Sequence, residues 1–165
     1  MAKTEIELRP VDFITVGTIG PKGQRVFHLQ AGRDNQLVSF IIEKEQAWAL
    51  ASAIEEFLSD LDERDNTDTT VEMAALDMDL REPIDPIFRI SQMGLAYDEA
   101  EQAVVLVAQE FTESESEEEI DEDAGVVRMW CTREQMRALS LQAMDIVQSG
   151  RPSPKQNGRI LYYWT

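Results

Sequence analysis

Val38–Leu61 reads VSFIIEKEQAWALASAIEEFLSDL, and Val126–Val147 reads VVRMWCTREQMRALSLQAMDIV. Each stretch is an apolar strand that runs directly into an amphipathic helix. The two are in register at an offset of 89 residues, with Lys44-Glu45-Gln46 on Arg133-Glu134-Gln135, Leu50 on Leu139 and Leu58 on Val147. In the first helix Ala47, Leu50, Ala51, Ile54, Phe57, Leu58 and Leu61 fall on one stripe, the spacing of a helix that packs on a sheet. In the second, Thr132 and Gln135 have the spacing of a capping box, and Ser149-Gly150 with Pro152 beyond ends the helix.

Upstream of each stretch lie two further strands. Val11–Ile19 is rich in β-branched residues, Gly20-Pro21-Lys22-Gly23 is a hairpin turn, and Arg25–Ala31 alternates, with Phe27 and Leu29 on one face and His28 and Gln30 on the other. In the second half, Ile87–Tyr97 and Ala103–Phe111 flank the polar turn Asp98–Glu101. The second strands align at an offset of 78 (Arg25 on Ala103, Gln30 on Ala108), whereas the third strands and helices align at 89. The difference is an eleven-residue insertion, the length of the acidic run Glu113–Asp123.

These readings predict an α+β fold built from a duplicated strand-strand-strand-helix unit. The expected architecture is an antiparallel sheet of six or more strands, with two helices on one face related by a pseudo-two-fold axis. The chain is expected to be one domain of two repeats, about residues 11–61 and 87–149. An acidic linker (62–86), an acidic hairpin insertion (113–123) and a C-terminal tail (150–165) complete it.

The net charge of −17 is concentrated. Glu113–Asp123 carries eight acids and no base, and Ser59–Glu82 carries nine acids against Arg64 and Arg81. Setting these aside leaves 15 acids against 13 bases, so the folded body is nearly neutral. No cluster of Lys and Arg offers phosphate contacts, which argues against nucleic acid as a partner. The absence of a basic amphipathic helix and of a long apolar run argues against a membrane, and the reading is a soluble, cytoplasmic protein. The single cysteine, Cys131, reads as a small buried hydrophobe.

The strings VGTIGPKGQRVFHLQA, EKEQAWALA, FRISQMGLAYDEAEQAVVLVAQE and REQMRALSLQAMDIVQSGRP resemble a bacterial family of conserved hypothetical proteins, domain of unknown function 3090. The likeness runs from about Asp12 to Pro152. It implies no chemistry, because the family has no assigned activity. Members of the family follow the Gly-Arg-Pro with a Cys-containing, zinc-knuckle-like tail. This chain departs from that pattern after Pro152, and with one Cys and one His it cannot supply four zinc ligands.

No catalytic or cofactor motif is present, and no catalytic residue, metal site or cofactor is assigned. The ligand-binding candidates are Arg25, His28, Gln30 and the two helix corners at Lys44 and Arg133, which two-fold repetition would bring to one groove suited to an anionic ligand. The same corner residues serve helix capping, which is the simpler reading. His28 reads as an ordinary, partly exposed histidine. The interaction candidates are Trp48 on a helix flank, read as packed over the sheet more readily than as a contact to another chain, and Tyr162, Tyr163 and Trp164 in the aromatic tail. The favoured function is a non-enzymatic interaction or accessory module that contacts a protein partner, or a second copy in a homo-oligomer, through an edge strand or the tail. The alternative is a small-ligand or enzymatic site between the repeats. Because the acidic run is read as a hairpin-tip elaboration, deleting Glu113–Asp123 is expected to leave the thermal midpoint nearly unchanged; a collapse of folding would refute the duplicated-unit reading.

Overall fold

The computed structural model describes residues 4–21, 23–112 and 124–149. The insertion 113–123 and the tail, with Tyr162, Tyr163 and Trp164, lie outside the described residues. The strands are β1 (Glu5–Leu8), β2 (Phe13–Ile19), β3 (Val26–Arg33), β4 (Gln36–Ile42), β5 (Pro86–Asp98), β6 (Ala103–Glu110) and β7 (Val126–Cys131). The helices are α1 (Lys44–Asp65) and α2 (Arg133–Ser149). α1 runs one turn beyond the expected end at Leu61 and stops at Asn66, whose left-handed backbone (φ 55°) is that of a helix C-terminus.

The seven strands form one sheet in the order β1-β7-β6-β5-β4-β3-β2. It is mixed, which corrects the expectation of a purely antiparallel sheet. β4 pairs with β5 in parallel, and β1 pairs with β7 in parallel; the other pairs are antiparallel. β4 and β5 are joined through α1 and a long crossover, and a crossover of that kind returns the chain in the same direction. β1, which the repeat did not include, fills beside β7 the place that β5 fills beside β4.

The sheet is strongly curled. Its edge strands β1 and β2 are joined by Arg9–Asp12 alone, and the Leu8-to-Phe13 link spans at most about 18 Å. Six flat inter-strand spacings would separate the same edges by about 29 Å. Within the link, the Val11 N–H donates to the Trp130 carbonyl on β7 (2.9 Å), and the next amide, Asp12 N–H, donates to the Gly32 carbonyl on β3 (2.7 Å). The inner face carries Val16, Leu29, Phe40, Ile90, Leu106 and Met129, and both helices bury their stripes in the same core.

α1 and α2 pack against each other antiparallel. Arg137 of α2 pairs with Glu55 in the middle of α1, Arg133 pairs with Asp62 near its end, and Val147 lies beside Lys44 and Trp48 at its start. The ladders also correct the strand alignment. Leu29 faces Phe40 and Leu106 faces Met129, so β3 maps onto β6 at an offset of 77 rather than 78. The one-residue slip matters because it would turn every inner side chain to the outer face.

The acidic linker is a strap rather than a free connection. Its Met78 carbonyl accepts from the Thr15 hydroxyl (2.6 Å), and the Gln30 carboxamide pairs with both backbone groups of Arg81 (Arg81 N–H to Oε1 2.7 Å, Nε2 to Arg81 carbonyl 2.7 Å). The Arg81 guanidinium lies 3.5 Å above the Phe13 ring, and Gly17 makes room for Leu80, whose Cγ would lie 2.8 Å from any added Cβ. Gln30, on the face opposite Phe27 and Leu29 as expected, is fully buried under the strap. Gln30→Leu strips three hydrogen bonds from a buried site, so it is expected to lower the unfolding free energy by about 2–4 kcal/mol. Limited proteolysis of the variant should cut between Thr70 and Leu80 before the rest of the chain.

Candidate functional site

The ligand candidates do not gather at one place. Because the helices are antiparallel, the Lys44 corner lies beside the end of α2 and the Arg133 corner beside the end of α1. The 22-residue α1 is about 33 Å long, and one small anion cannot touch both corners. The two corner glutamines are used structurally. Gln46 accepts from the Glu43 N–H (2.7 Å) and donates to the Ile90 carbonyl (2.9 Å), while Gln135 accepts from the Thr132 N–H (2.8 Å) and reaches the Val11 carbonyl (3.4 Å). The Thr132 hydroxyl completes its box by accepting from the Gln135 N–H (3.0 Å). Arg25 lies at the β2–β3 hairpin end, its Nη1 3.4 Å from the Ser149 carbonyl.

Arg133 sits in a polar clasp whose Asp62, Asp65 and Thr67 come from the stretch expected as the acidic linker 62–86. Its Nη1 donates to Asp62 (3.0 Å) and Thr67 (3.1 Å), and its Nη2 donates to Asp65 and to the Tyr97 hydroxyl (3.3 Å). These hydrogen bonds raise the guanidinium pKa above its ordinary value, with Tyr97 first among the causes. Burial alone would raise the Asp62 carboxyl, but bonds from Thr69, Thr67 and Arg133 together hold it below the usual range. Hydrogen bonds from Arg64 and then Arg133 lower Asp65 to about 2. The clasp joins both helices, the start of the strap and the end of β5, and both Nη groups of Arg133 are occupied. That is the chemistry of a structural tie.

His28 is only 6% exposed, which overturns the reading of an ordinary surface histidine. It lies between Gly17 and Ile41 on the strap-covered face, and its Nδ1 has no hydrogen-bond partner. Burial pushes its pKa below the ordinary 6.5. Trp48, expected to pack over the sheet, is 54% exposed. Cys131 is buried, and burial pushes its thiol pKa well up. Among the described residues no three His, Cys, Asp or Glu side chains gather as metal ligands, and no helix is long and apolar enough to cross a membrane.

A groove of about 500 Å³ lies between α1 and β5. Leu50, Phe57, Met93, Leu95 and Leu106 form its floor, Ala49 and Ala53 its helical wall, and Glu56 and Asp60 its rim. β4 pairs with β5 only as far as Arg89, so from Ser91 to Asp98 the α1-facing edge of β5 has no strand partner among the described residues.

The matching gap in the other half, between α2 and β2, holds a pocket of about 430 Å³ that Phe13, Ile14, Gln135 and Ala138 line together with the strap; unlike the groove, it is shared with the strap and bridged further along by Gln142. At the 89-residue offset, Ala49 corresponds to Ala138 and Ala53 to Gln142. Ala138 is 2% exposed whereas Ala49 is open to solvent, and Gln142 donates to the Val16 carbonyl of β2 (3.3 Å) where Ala53 offers nothing. Ile14 and Val16 are buried, while their counterparts Met93 and Leu95 are only half-buried. No recognised motif marks Ala53. The difference from Gln142 is nevertheless readable at the offset already used to align the helices.

A model of one family, "Protein of unknown function (DUF3090)", matches residues 6–159. The chain belongs to this family. The DUF3090 match spans both meanders, both helices, the clasp and the groove. No curated protein and no solved structure matches the chain.

His28 provides a pH prediction, since it is the sole histidine. Its folded-state pKa lies below the unfolded one, so the unfolded chain binds the proton more readily. The histidine-linked contribution to stability is therefore complete above about pH 6.5 and declines as the pH falls from there through the folded-state value. Denaturant titrations between pH 5 and 8, values chosen around the histidine range, should show this slope, and His28→Gln should flatten it.

Proposed function

We propose that the protein is a non-enzymatic interaction module that binds an extended apolar segment of a protein by adding it as a strand to the free edge of β5. One observation carries this reading: an unpaired strand edge lies beside an apolar groove at the position where the other half of the fold has the strap and the Gln142 bridge. Gln92–Asp98 offers about 23 Å of edge, and the α1 wall from Gln46 to Asp60 runs about 21 Å alongside it. Strand addition draws affinity from backbone hydrogen bonds and specificity from pockets that receive alternate side chains. Here the alternate side chains would meet Leu50, Phe57, Met93 and Leu95. The lining residues include two carboxylates and no cation, which favours a segment with a basic flank and disfavours an anionic ligand.

We further infer that the two halves are copies of one unit, β1–β2 standing in the first half where the long β5 stands in the second. The break at Arg9–Asp12 then matches the register shift between Ile90 and Gln92. In this reading one copy became the structural half, bridged by Gln142 and overlaid by the strap, and the other kept a groove without either.

Selection of random hexapeptides on phage tests the reading. Binders are expected to alternate apolar and polar residues beside a basic residue, and to slow amide exchange along Gln92–Asp98. Ala53→Gln, which reproduces the Gln142 bridge at an exposed position, is expected to weaken them at least about tenfold without moving the thermal midpoint. Binders that are indifferent to Ala53→Gln, or that protect amides elsewhere, would overturn it.

A further inference from the structure

We propose that the pocket beneath the strap binds a small zwitterion, an α-amino acid with an apolar side chain. The pocket lies between β2 of the first half and the start of α2 of the second, and its volume of about 430 Å³ falls within the range of small-molecule sites. The strap over it is an arch on two feet. At one foot the Asp62 carboxylate accepts from the Thr69 N–H (2.9 Å) and the Thr69 hydroxyl (2.8 Å). At the other, the Met78 carbonyl accepts from Thr15 (2.6 Å) and Arg81 is tied to Gln30. Between the feet, residues 70–77 hydrogen-bond only within the strap among the described residues, around a turn at Met73–Ala75. The arch therefore lies over β2 and α2 without being bonded to them. Its Val71, Leu76 and Met78 line the pocket with Phe13, Ile14 and Ala138, and Leu76 is still 44% exposed. Walls of this kind suit an apolar body.

Arg81 supplies the polar group that orients it. Gln30 holds both backbone groups of Arg81, and the guanidinium lies 3.5 Å above the Phe13 ring, so the side chain is fixed at both ends. Among the described residues that guanidinium makes no hydrogen bond and no ion pair, which leaves its donors unused at the pocket wall. A guanidinium fork held in place with unused donors is a receptor for a carboxylate.

The remaining charges are of the opposite sign. Asp12, Glu72, Asp77 and Glu134 line the same pocket, and none of them forms an ion pair among the described residues. A ligand carrying only a carboxylate would meet four others, and one carrying only an ammonium would leave Arg81 unmatched. A zwitterion answers both, with its carboxylate on Arg81, its ammonium among the acids and its side chain against the apolar walls. The pocket shares no residue with the β5 groove, so this inference does not depend on strand addition.

Amide NMR on the full chain, titrated with L-leucine, L-methionine and L-phenylalanine, tests the proposal. At least one is expected to give saturable shifts at Phe13, Ile14 and residues 70–77. It should bind at least about tenfold more tightly than its N-acetyl derivative and its methyl ester, each of which removes one charge. Arg81→Gln keeps the backbone ties to Gln30 and is expected to abolish the preference over the methyl ester while leaving the preference over the N-acetyl form. Ala75→Phe, at an exposed position of the wall, is expected to abolish binding without moving the thermal midpoint. The absence of saturable shifts with all three amino acids would overturn the proposal. Derivatives that bind as well as the parent amino acid would overturn it too, as would shifts confined to residues outside the pocket.

Discussion

Two consecutive amides hold the fold's geometry. The Val11 N–H bonds to β7 and the Asp12 N–H to β3, strands four places apart in the sheet order. The chain between β1 and β2 is too short to let those strands lie flat, so the sheet must wrap, and a wrapped sheet needs its concave side filled. The two apolar helix stripes fill it. Once the helices are inside, their N-termini need fixing, and Gln46 and Gln135 each do two jobs there. Each caps its helix and donates to the carbonyl of the chain lying alongside the preceding strand. The glutamines of the Lys-Glu-Gln and Arg-Glu-Gln corners are thus both used in closure.

Closure is unequal. Around β2 the polar groups facing outward from the sheet are met by the strap, and the gap toward α2 is bridged by Gln142. Around β5 neither kind of cover is present among the described residues. A buried or half-buried backbone edge without partners is unfavourable unless water or another chain satisfies it. In β5 the edge is kept beside exposed Ala49 and Ala53, and the half-buried Met93 and Leu95 remain below. Both features belong to a surface that gains by acquiring a strand.

Much of this architecture was legible in the residues, because helix and strand periods and the 89-residue echo are local properties. Every expected repeat strand and both helices are present, and the Thr132–Gln135 box forms as its spacing implies. What was not legible is non-local. The parallel β4–β5 and β1–β7 pairs depend on where chain segments return, which periodicity does not encode. The strap from Thr67 to Arg81 has no amphipathic period, so its acids suggested a solvated linker. Its actual anchors are single contacts, to Thr15 and Gln30 and across Phe13 and Gly17. The burial of His28 was missed for the same reason: its face, shared with Gln30, was correctly separated from Phe27 and Leu29, but the strap that buries it was not visible. The clasp was missed because Asp62, Asp65, Tyr97 and Arg133 are brought together from four elements.

The contrast between Ala53 and Gln142 bears most directly on function. At position 142 a carboxamide supplies the donor that a strand-edge carbonyl requires, together with the volume that fills the space between helix and strand. At position 53 a methyl supplies neither, and the β5 position that matches Val16 in the ladders, Leu95, keeps its backbone for another donor. That side chain is one difference between the two crevices, and the strap, which lines the α2–β2 crevice and not the groove, is the other. Because the missing donor is a backbone-type donor, the group best able to replace it is a peptide N–H. A peptide N–H is thus the kind of group that the proposed strand addition would bring to that edge.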